Sequence, residues 1–228
     1  MASAATTKQA LLEQGALLYA RHGVAGVSAK ALHEAVGARN ESALHYHFGS
    51  QAGLLEAILR AHLEEVERRR AAHAAEIEAR GETSDVRALV RALAAPMVED
   101  LHDPVGRAHL RIVAQVSHPA LAYEDAFRSA RAVDVDAAAG TAIVTWLQAA
   151  LTHLPPAVRR ERLVDLRGHL IAALAHRAQL VDDDPEGRPP HTELFLENLL
   201  DVLVAGLTAP PSEATLAASR RRPRRPAG

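Results

Sequence analysis

Helical spacing dominates the sequence, and no stretch of six or more residues alternates cleanly between apolar and polar side chains. Apolar residues recur instead at intervals of three and four, which places them on one face of a helix. Glycine and proline interrupt this pattern at short distances along the chain. The sequence therefore predicts an all-α fold, and a hydrophobic content of 48% supplies a core for it.

Three short helices are predicted in the first 50 residues. The first ends at Gly23, Ser28 caps the second, and Asn40 caps the third. A much longer helix follows, from about Gln51 to Arg80. We interpret residues 1–50 as a compact head carried on a long connecting helix.

Residues 51–209 are predicted to form a helical body, and its last helix, from His191 to Leu207, is apolar on nearly every side. One face packed on the chain's own core would leave the other in water, so we expect a second chain to cover it. With the helix predicted for Ala157–Leu180, it would form a four-helix bundle in a homodimer. The alternative is a central helix within one chain's core. The predicted interface residues are Leu166, Leu170, Ala173, Phe195, Leu199 and Leu203.

Charge is distributed unevenly along the chain. Residues 1–62 carry a formal charge of +1 and residues 63–219 a charge of −8, while five arginines follow between Arg220 and Arg225. Only the two ends could therefore approach a polyanion. The segment 210–228, rich in proline, alanine and arginine, is predicted to be disordered. It could contribute to DNA binding, but a solubilising tail is the preferred interpretation.

Several classes of function are disfavoured by what the sequence lacks. Without cysteine there is no disulfide, no thiol nucleophile and no cysteine-ligated metal. The 13 histidines do not follow metal-ligand spacing, and GxSxG, GxGxxG and Walker motifs are missing. No apolar run approaches the length of about 18 residues that spans a bilayer. We expect a cytoplasmic protein that is not an enzyme and has no cofactor, no metal site and no membrane partner.

The segment 23–53, GVAGVSAKALHEAVGARNESALHYHFGSQAG, resembles the DNA-binding head of the tetracycline-repressor (TetR) family. The resemblance lies in the glycine after the first helix and in three motifs whose order and spacing fit the family: Val27-Ser28, Ala35-Val36-Gly37 and the run from Leu44 to Ser50 followed by Leu54-Leu55. Two features depart from the pattern. The turn 38–41 is one residue longer than the common form, and Gln51 stands where many members carry lysine.

The resemblance implies a helix-turn-helix whose third helix enters the major groove of double-stranded DNA. By spacing, Ala43, Leu44 and Phe48 can pack inward, which leaves the polar side of this helix exposed, including Arg39 and Asn40. Residue by residue, the family pattern implies base contacts from Lys30, Glu41, Ser42, Ala43 and His45, and phosphate contacts from Ser28, Tyr46, His47 and Gln51.

A ligand-responsive body is also implied by the resemblance, with a small-molecule effector that changes the separation of two heads. His109 shares a helical face with Ile112, Val113 and Val116, which is typical of an apolar pocket containing a polar group. The further candidates for this pocket are Tyr123, Phe127, Trp146 and His153. The alternative for all eight residues is ordinary packing.

The predicted function is therefore that of a homodimeric transcriptional repressor, which binds a partly palindromic operator and is released by a small-molecule effector. The alternative is a helical small-molecule carrier or enzyme whose head no longer binds DNA.

Overall fold

The computed structural model describes residues 4–36, 42–117, 137–184 and 192–221. These residues form ten α-helices and two 3-10 turns and contain no strand, which confirms the all-α prediction. In chain order the α-helices are α1 Ala4–His22, α2 Ala29–Val36, α3 Ser42–Phe48, α4 Gln51–Arg80, α5 Val86–Val98, α6 Pro104–Ser117, α7 Ala138–Ala150, α8 Pro156–Asp182, α9 Thr192–Thr208 and α10 Glu213–Ser219. The 3-10 turns are Val24–Gly26 and Glu99–His102.

Local sequence sets the helix boundaries in the head. Gly23, at φ 83°, takes the chain out of α1 in a conformation that a side chain would strain. The hydroxyl of Ser28 accepts a hydrogen bond from the Ala31 N–H in the first turn of α2, and Ser50 accepts one in the same way at the start of α4. The predicted end of α1, the cap of α2 and both bounds of α4 are thereby confirmed.

Two apolar clusters are joined by α4. The head cluster contains residues of α1, α2, α3 and the first half of α4, but also the buried face of α6. The body cluster contains the second half of α4 together with α5, α7, α8 and α9. The head cluster is centred on Leu11, Tyr19, Leu32, Leu54, Leu55, Ile58 and Ile112. Because α6 contributes to the head's own core, the head is packed onto the body through two helices.

Gln115 ties α6 to the end of α1 by hydrogen bonds. Its side-chain oxygen accepts from the Val24 N–H at 2.9 Å, and its amide nitrogen donates to the Tyr19 carbonyl at 3.4 Å. Both partners are backbone groups at the C-terminal end of α1: the Tyr19 carbonyl also accepts the Gly23 N–H, and the Val24 N–H begins the following 3-10 turn. Gln115 thus holds the turn between α1 and α2 against the body.

The helices predicted to form a dimer, α8 and α9, pack against each other within the chain, and the predicted interface residues lie on the inner side of this packing. Four of the six predicted side chains are buried inside one chain, and the other two are partly buried against the same body cluster. Little of their surface is left for a second chain. The buried four are Leu166, Leu170, Leu199 and Leu203, and the partly buried two are Ala173 and Phe195.

The prediction of disorder from residue 210 onward is also wrong in part. Ser212 caps α10 by accepting a hydrogen bond from the Thr215 N–H at 3.2 Å, and α10 packs against α8. Arg162 of α8 donates to the carbonyls of Leu207 and Ala209 and so fixes the chain where it leaves α9. Residues 222–228 lie outside the described residues.

Among the helices of the described ranges, none taken singly has the length and apolar character needed to cross a membrane. The consecutive helices α9 and α10, bent by 62° at their junction, meet those criteria together by length and composition only.

Replacing Gln115 with alanine should lower the free energy of unfolding by about 1–3 kcal/mol, because it leaves a partly buried N–H and a carbonyl without their side-chain partner. Urea denaturation followed by circular dichroism measures this change. The control is Gln148→Ala on α7, an exposed position where a change within about 0.5 kcal/mol is expected. Equal losses in the two variants would contradict the role given to Gln115.

Candidate nucleic-acid interface

Helix α3 has one face in the head core and one face in water. Leu44 is 5% exposed, and Ala43 and Phe48 are partly buried against the head cluster. His45 and Tyr46 point away from it, and Tyr46 is 80% exposed. The His47 ring lies between those of Tyr46 and Phe48, with centroid distances of 5.0 and 6.1 Å. A short rigid helix therefore presents an imidazole and a phenol to solvent.

On α2, the two predicted DNA contacts are both exposed. The hydroxyl of Ser28 is at the helix start, and Lys30, the second residue of α2, lies 3.7 Å from the carboxylate of Glu34. An exposed pair at this distance is weak and screened by salt, so it does not prevent Lys30 from meeting another anion.

Gln51 is engaged within the head. Its side-chain nitrogen donates to the Val27 carbonyl at 2.8 Å, while its own carbonyl accepts from the buried Tyr19 hydroxyl at 3.3 Å. The first bond holds the start of α4 against the entry to α2, and the second holds it against α1. Contact between Gln51 and a phosphate stays a prediction, and it would require the amide to leave or share the Val27 carbonyl.

Glycine at position 53 allows α3 and α4 to meet closely. A β-carbon on Gly53 would lie 2.0 Å from the Phe48 carbonyl oxygen, so any side chain there would displace the end of α3. The orientation of α3 on the head thus depends on this contact as well as on Leu44.

A groove of about 450 Å³ runs beside α3, between α1 and α4. Its basic residues are Lys8, His47 and Arg60, and Arg60 donates to Glu56 at 2.8 Å. Sequence reasoning missed Lys8 and Arg60 because helical periodicity does not reveal which helices meet beside α3. The sequence feature that could have identified them is their charge, since Lys8 and Arg60 are two of the five lysine and arginine residues in positions 1–62.

Three predicted base or backbone contacts, Arg39, Asn40 and Glu41, lie outside the described residues. Ser42 is the first residue of α3, but its side chain is likewise outside the described part of the chain. These contacts remain predictions.

The predicted effector residues are not gathered in one place. Ile112, Val113 and Val116 pack in the head cluster, Trp146 packs against the body cluster, and His153 is exposed. The first three therefore serve the junction between head and body. The other candidates, Tyr123 and Phe127, lie outside the described residues.

His109, which is partly buried, joins two buried polar residues in a group that sequence reasoning did not anticipate. Its ring stacks on that of His62 of α4, with centroids 4.8 Å apart and planes inclined by 29°. Nδ1 of His62 lies 3.7 Å from Oδ2 of Asp100, a distance too long for a hydrogen bond. We name His62, Asp100 and His109 the histidine joint. Burial lowers the pKa of His62 to about 3, helped by His109, and that of His109 to about 4.

Asp100 carries the opposite shift. Burial raises the pKa of its carboxyl to about 6, although Arg69 opposes the shift by donating to Oδ1 at 2.9 Å. Asp100 Oδ2 and His62 Nε2 are buried and have no hydrogen-bond partner among the described residues. The histidine joint is thus a polar contact between α4 and α6 that excludes positive charge on either ring.

A second buried polar contact lies deeper in the body. The carboxylate of Glu67 accepts the Gly140 N–H at 2.7 Å, in the first turn of α7, where the Ala137 side chain provides no cap. Arg70 lies beside it, 3.7 Å from Glu67, and burial lowers the pKa of its guanidinium. Within the described ranges, no cluster of three or more histidine, aspartate or glutamate side chains could hold a metal ion.

Comparison with known proteins identifies the fold. The structure is similar to a crystal structure of a protein from Rhodococcus sp. assigned to the TetR family of transcriptional regulators, with a TM-score of 0.53 and 20% sequence identity. The match covers 88% of this chain and 98% of the other. No protein-family model and no curated protein matches the sequence. The chain therefore has the fold of a TetR-type regulator, a helix-turn-helix head on a helical body.

Two alanine variants of α3 should separate folding from recognition. Leu44→Ala should lower the free energy of unfolding by about 2–5 kcal/mol, because it empties a buried site in the head core. Tyr46→Ala should change it by less than about 0.5 kcal/mol, because the side chain lies in water. Thermal and urea denaturation measure both values, and a large loss for Tyr46→Ala would show that its ring is needed for folding.

Proposed function

We propose that the chain is a TetR-family transcriptional repressor, which binds a partly palindromic operator as a homodimer in the cytoplasm and is released by a small-molecule effector. The observation that carries the proposal is the division of α3 into a buried face and an exposed polar face. A helix of this size fits a major groove about 12 Å wide. The shared fold supports the same conclusion.

Contacts with DNA divide into two kinds in this proposal. His45, Ser42 and Lys30, with Ala43 and Glu41, would meet base edges and set sequence choice. Tyr46, His47 and Ser28, with Gln51 once its amide is freed, would meet phosphates, and Lys8 of the groove extends that set. Because residues 1–62 carry a formal charge of only +1, binding to random duplexes should be weak.

His45→Ala should weaken binding to the preferred duplex by about 1–3 kcal/mol, roughly 5- to 150-fold, and relax sequence choice. Tyr46→Phe should weaken all duplexes about equally, because a phosphate contact carries no sequence information. The duplexes are selected from a random library by the wild-type chain and then titrated by fluorescence anisotropy. The control is Gln148→Ala at an exposed position on α7. Failure of the wild type to select any sequence would contradict the proposal.

The proposed dimer uses the outer faces of α8 and α9 rather than the residues buried inside the chain. Val164, Leu194 and Val202 are exposed large apolar side chains, at 62%, 68% and 62%. Small exposed residues at helical spacing complete the surface, which allows close approach of a second pair of helices: Gly168, Ala172, Ala205 and Gly206. We call this set the outer stripe.

Val202→Arg should convert the dimer to a monomer without unfolding it, since the side chain is exposed in the single chain and a guanidinium would be buried at the two-fold interface. Sedimentation velocity measures the mass, and circular dichroism checks the fold. Glu193→Arg, on a different side of α9, should leave the dimer intact. Retention of a dimer by Val202→Arg would exclude the outer stripe as the interface.

The effector part of the proposal rests on His109 and the partly buried Trp146, because the other described candidates serve the head junction or lie in solvent. An effector that altered the contact of α6 with α4 would reach the head directly, through the packing of α6 on α1.

A further inference from the structure

We propose that the histidine joint makes the contact between α6 and α4 sensitive to pH. Mild acid weakens this contact and thereby weakens the packing of α6 on α1 of the head. The consequence for DNA rests on the proposed function, but the loosening itself does not. The proposal starts from geometry: the buried His62 of α4 stacks on the partly buried His109 of α6 and lies beside the buried Asp100 of the 3-10 turn.

Protonation of either ring is incompatible with the closed joint. An imidazolium at His62 would be buried and would face the His109 ring at 4.8 Å, and one at the partly buried His109 would face the His62 ring at the same distance. Oδ2 of Asp100 lies 3.7 Å from His62 Nδ1, too far for a hydrogen bond, and Arg69 partly neutralises this carboxylate by donating to Oδ1. Two buried or half-buried guanidiniums of α4, Arg69 and Arg70, add positive potential at His62.

The other charged groups around the histidine joint do not make protonation of its rings favourable. On α4, Glu65 favours the charged form of His62 but is hydrogen-bonded to Arg68 and Arg69. From the 3-10 turn, Glu99 lies 3.4 Å from Arg69, and His102 is exposed and bonded to the Glu99 carbonyl. The remaining charged neighbours are Asp103, which favours charge on His109, and the pairs of Asp182 of α8 with Arg107 and Arg111 of α6.

Helix α6 connects the histidine joint to the head. Gln115 lies six residues beyond His109 on α6, about 9 Å at the rise of an α-helix, and it holds Val24 and Tyr19 of the head. Ile112 and Val113 pack in the head cluster between these two points. A displacement of α6 at His109 therefore disturbs the contacts that seat α1.

The change of the opening equilibrium with pH follows from the difference in pKa between the closed and open states. In the open state each histidine regains a pKa of 6.5, against about 3 and about 4 in the closed state. Between about pH 7.5 and about pH 5.5, the two rings together favour opening by about 100-fold. The pKa of Asp100 falls from about 6 to 3.8 on opening, so Asp100 favours the closed state by about fourfold over the same pH range. The net shift is about 25-fold toward the open state as the pH falls.

Amide hydrogen exchange of the full chain without DNA tests this inference, because it detects opening however rare the open state is. Protection factors, corrected for the intrinsic pH dependence of exchange, are compared at about pH 7.5 and about pH 5.5. Protection of α6 should fall about 25-fold, and protection of α9, which does not contact the joint, should not. An unchanged protection of α6, or an equal fall in α9, would overturn the proposal.

Variants of the joint give a sharper test. In His109→Gln, the protection of α6 should fall by only about 2.5-fold between the two pH values. In the double variant His62→Gln/His109→Gln it should rise by about fourfold, because only Asp100 still titrates. His153→Gln, at an exposed position between α7 and α8, should behave like the wild type. A full fall in the double variant would overturn the proposal. Since no DNA is present, that failure is separate from a failure to bind DNA.

Discussion

The packing of α6 against the head is the contact on which the rest of the structure depends. A head attached through α4 alone could rotate about that helix. Ile112, Val116 and Gln115 of α6 also contact the head, so a second helix fixes its position. The same helix meets α4 at the histidine joint and α8 through the ion pairs of Asp182. The orientation of α3 therefore depends on the contacts of α6 with the head as well as on α4.

Local chemistry made much of the fold predictable. Gly23 ends α1 and Ser28 caps α2 through interactions within a few residues, so the sequence alone reveals them. The exposed face of α3 followed from the same periodicity. Periodicity did not reveal which surface covers an apolar face: Leu199 was expected at a dimer interface but lies inside its own chain, because α9 packs against α5 and α8.

Long-range contacts account for the other differences. The amide of Gln51 is held by the Val27 carbonyl, 24 residues away in the chain, and His62 meets His109 across two helices. Neither contact has a local sequence signature. Both concern residues whose types suggested binding roles, which illustrates that a polar side chain in a regulator-like sequence can be a structural contact. The exposed His45 and Tyr46, by contrast, have no such internal role among the described contacts.

The central claim is that two copies of α3 read one duplex together. Footprinting of the protein on its selected duplex, with hydroxyl radicals, tests it most directly. The account predicts two protected half-sites related by a two-fold axis, with centres about 34 Å apart or a multiple of that distance, as required for successive major grooves. A single protected half-site at saturation, or no protection at all, would contradict it.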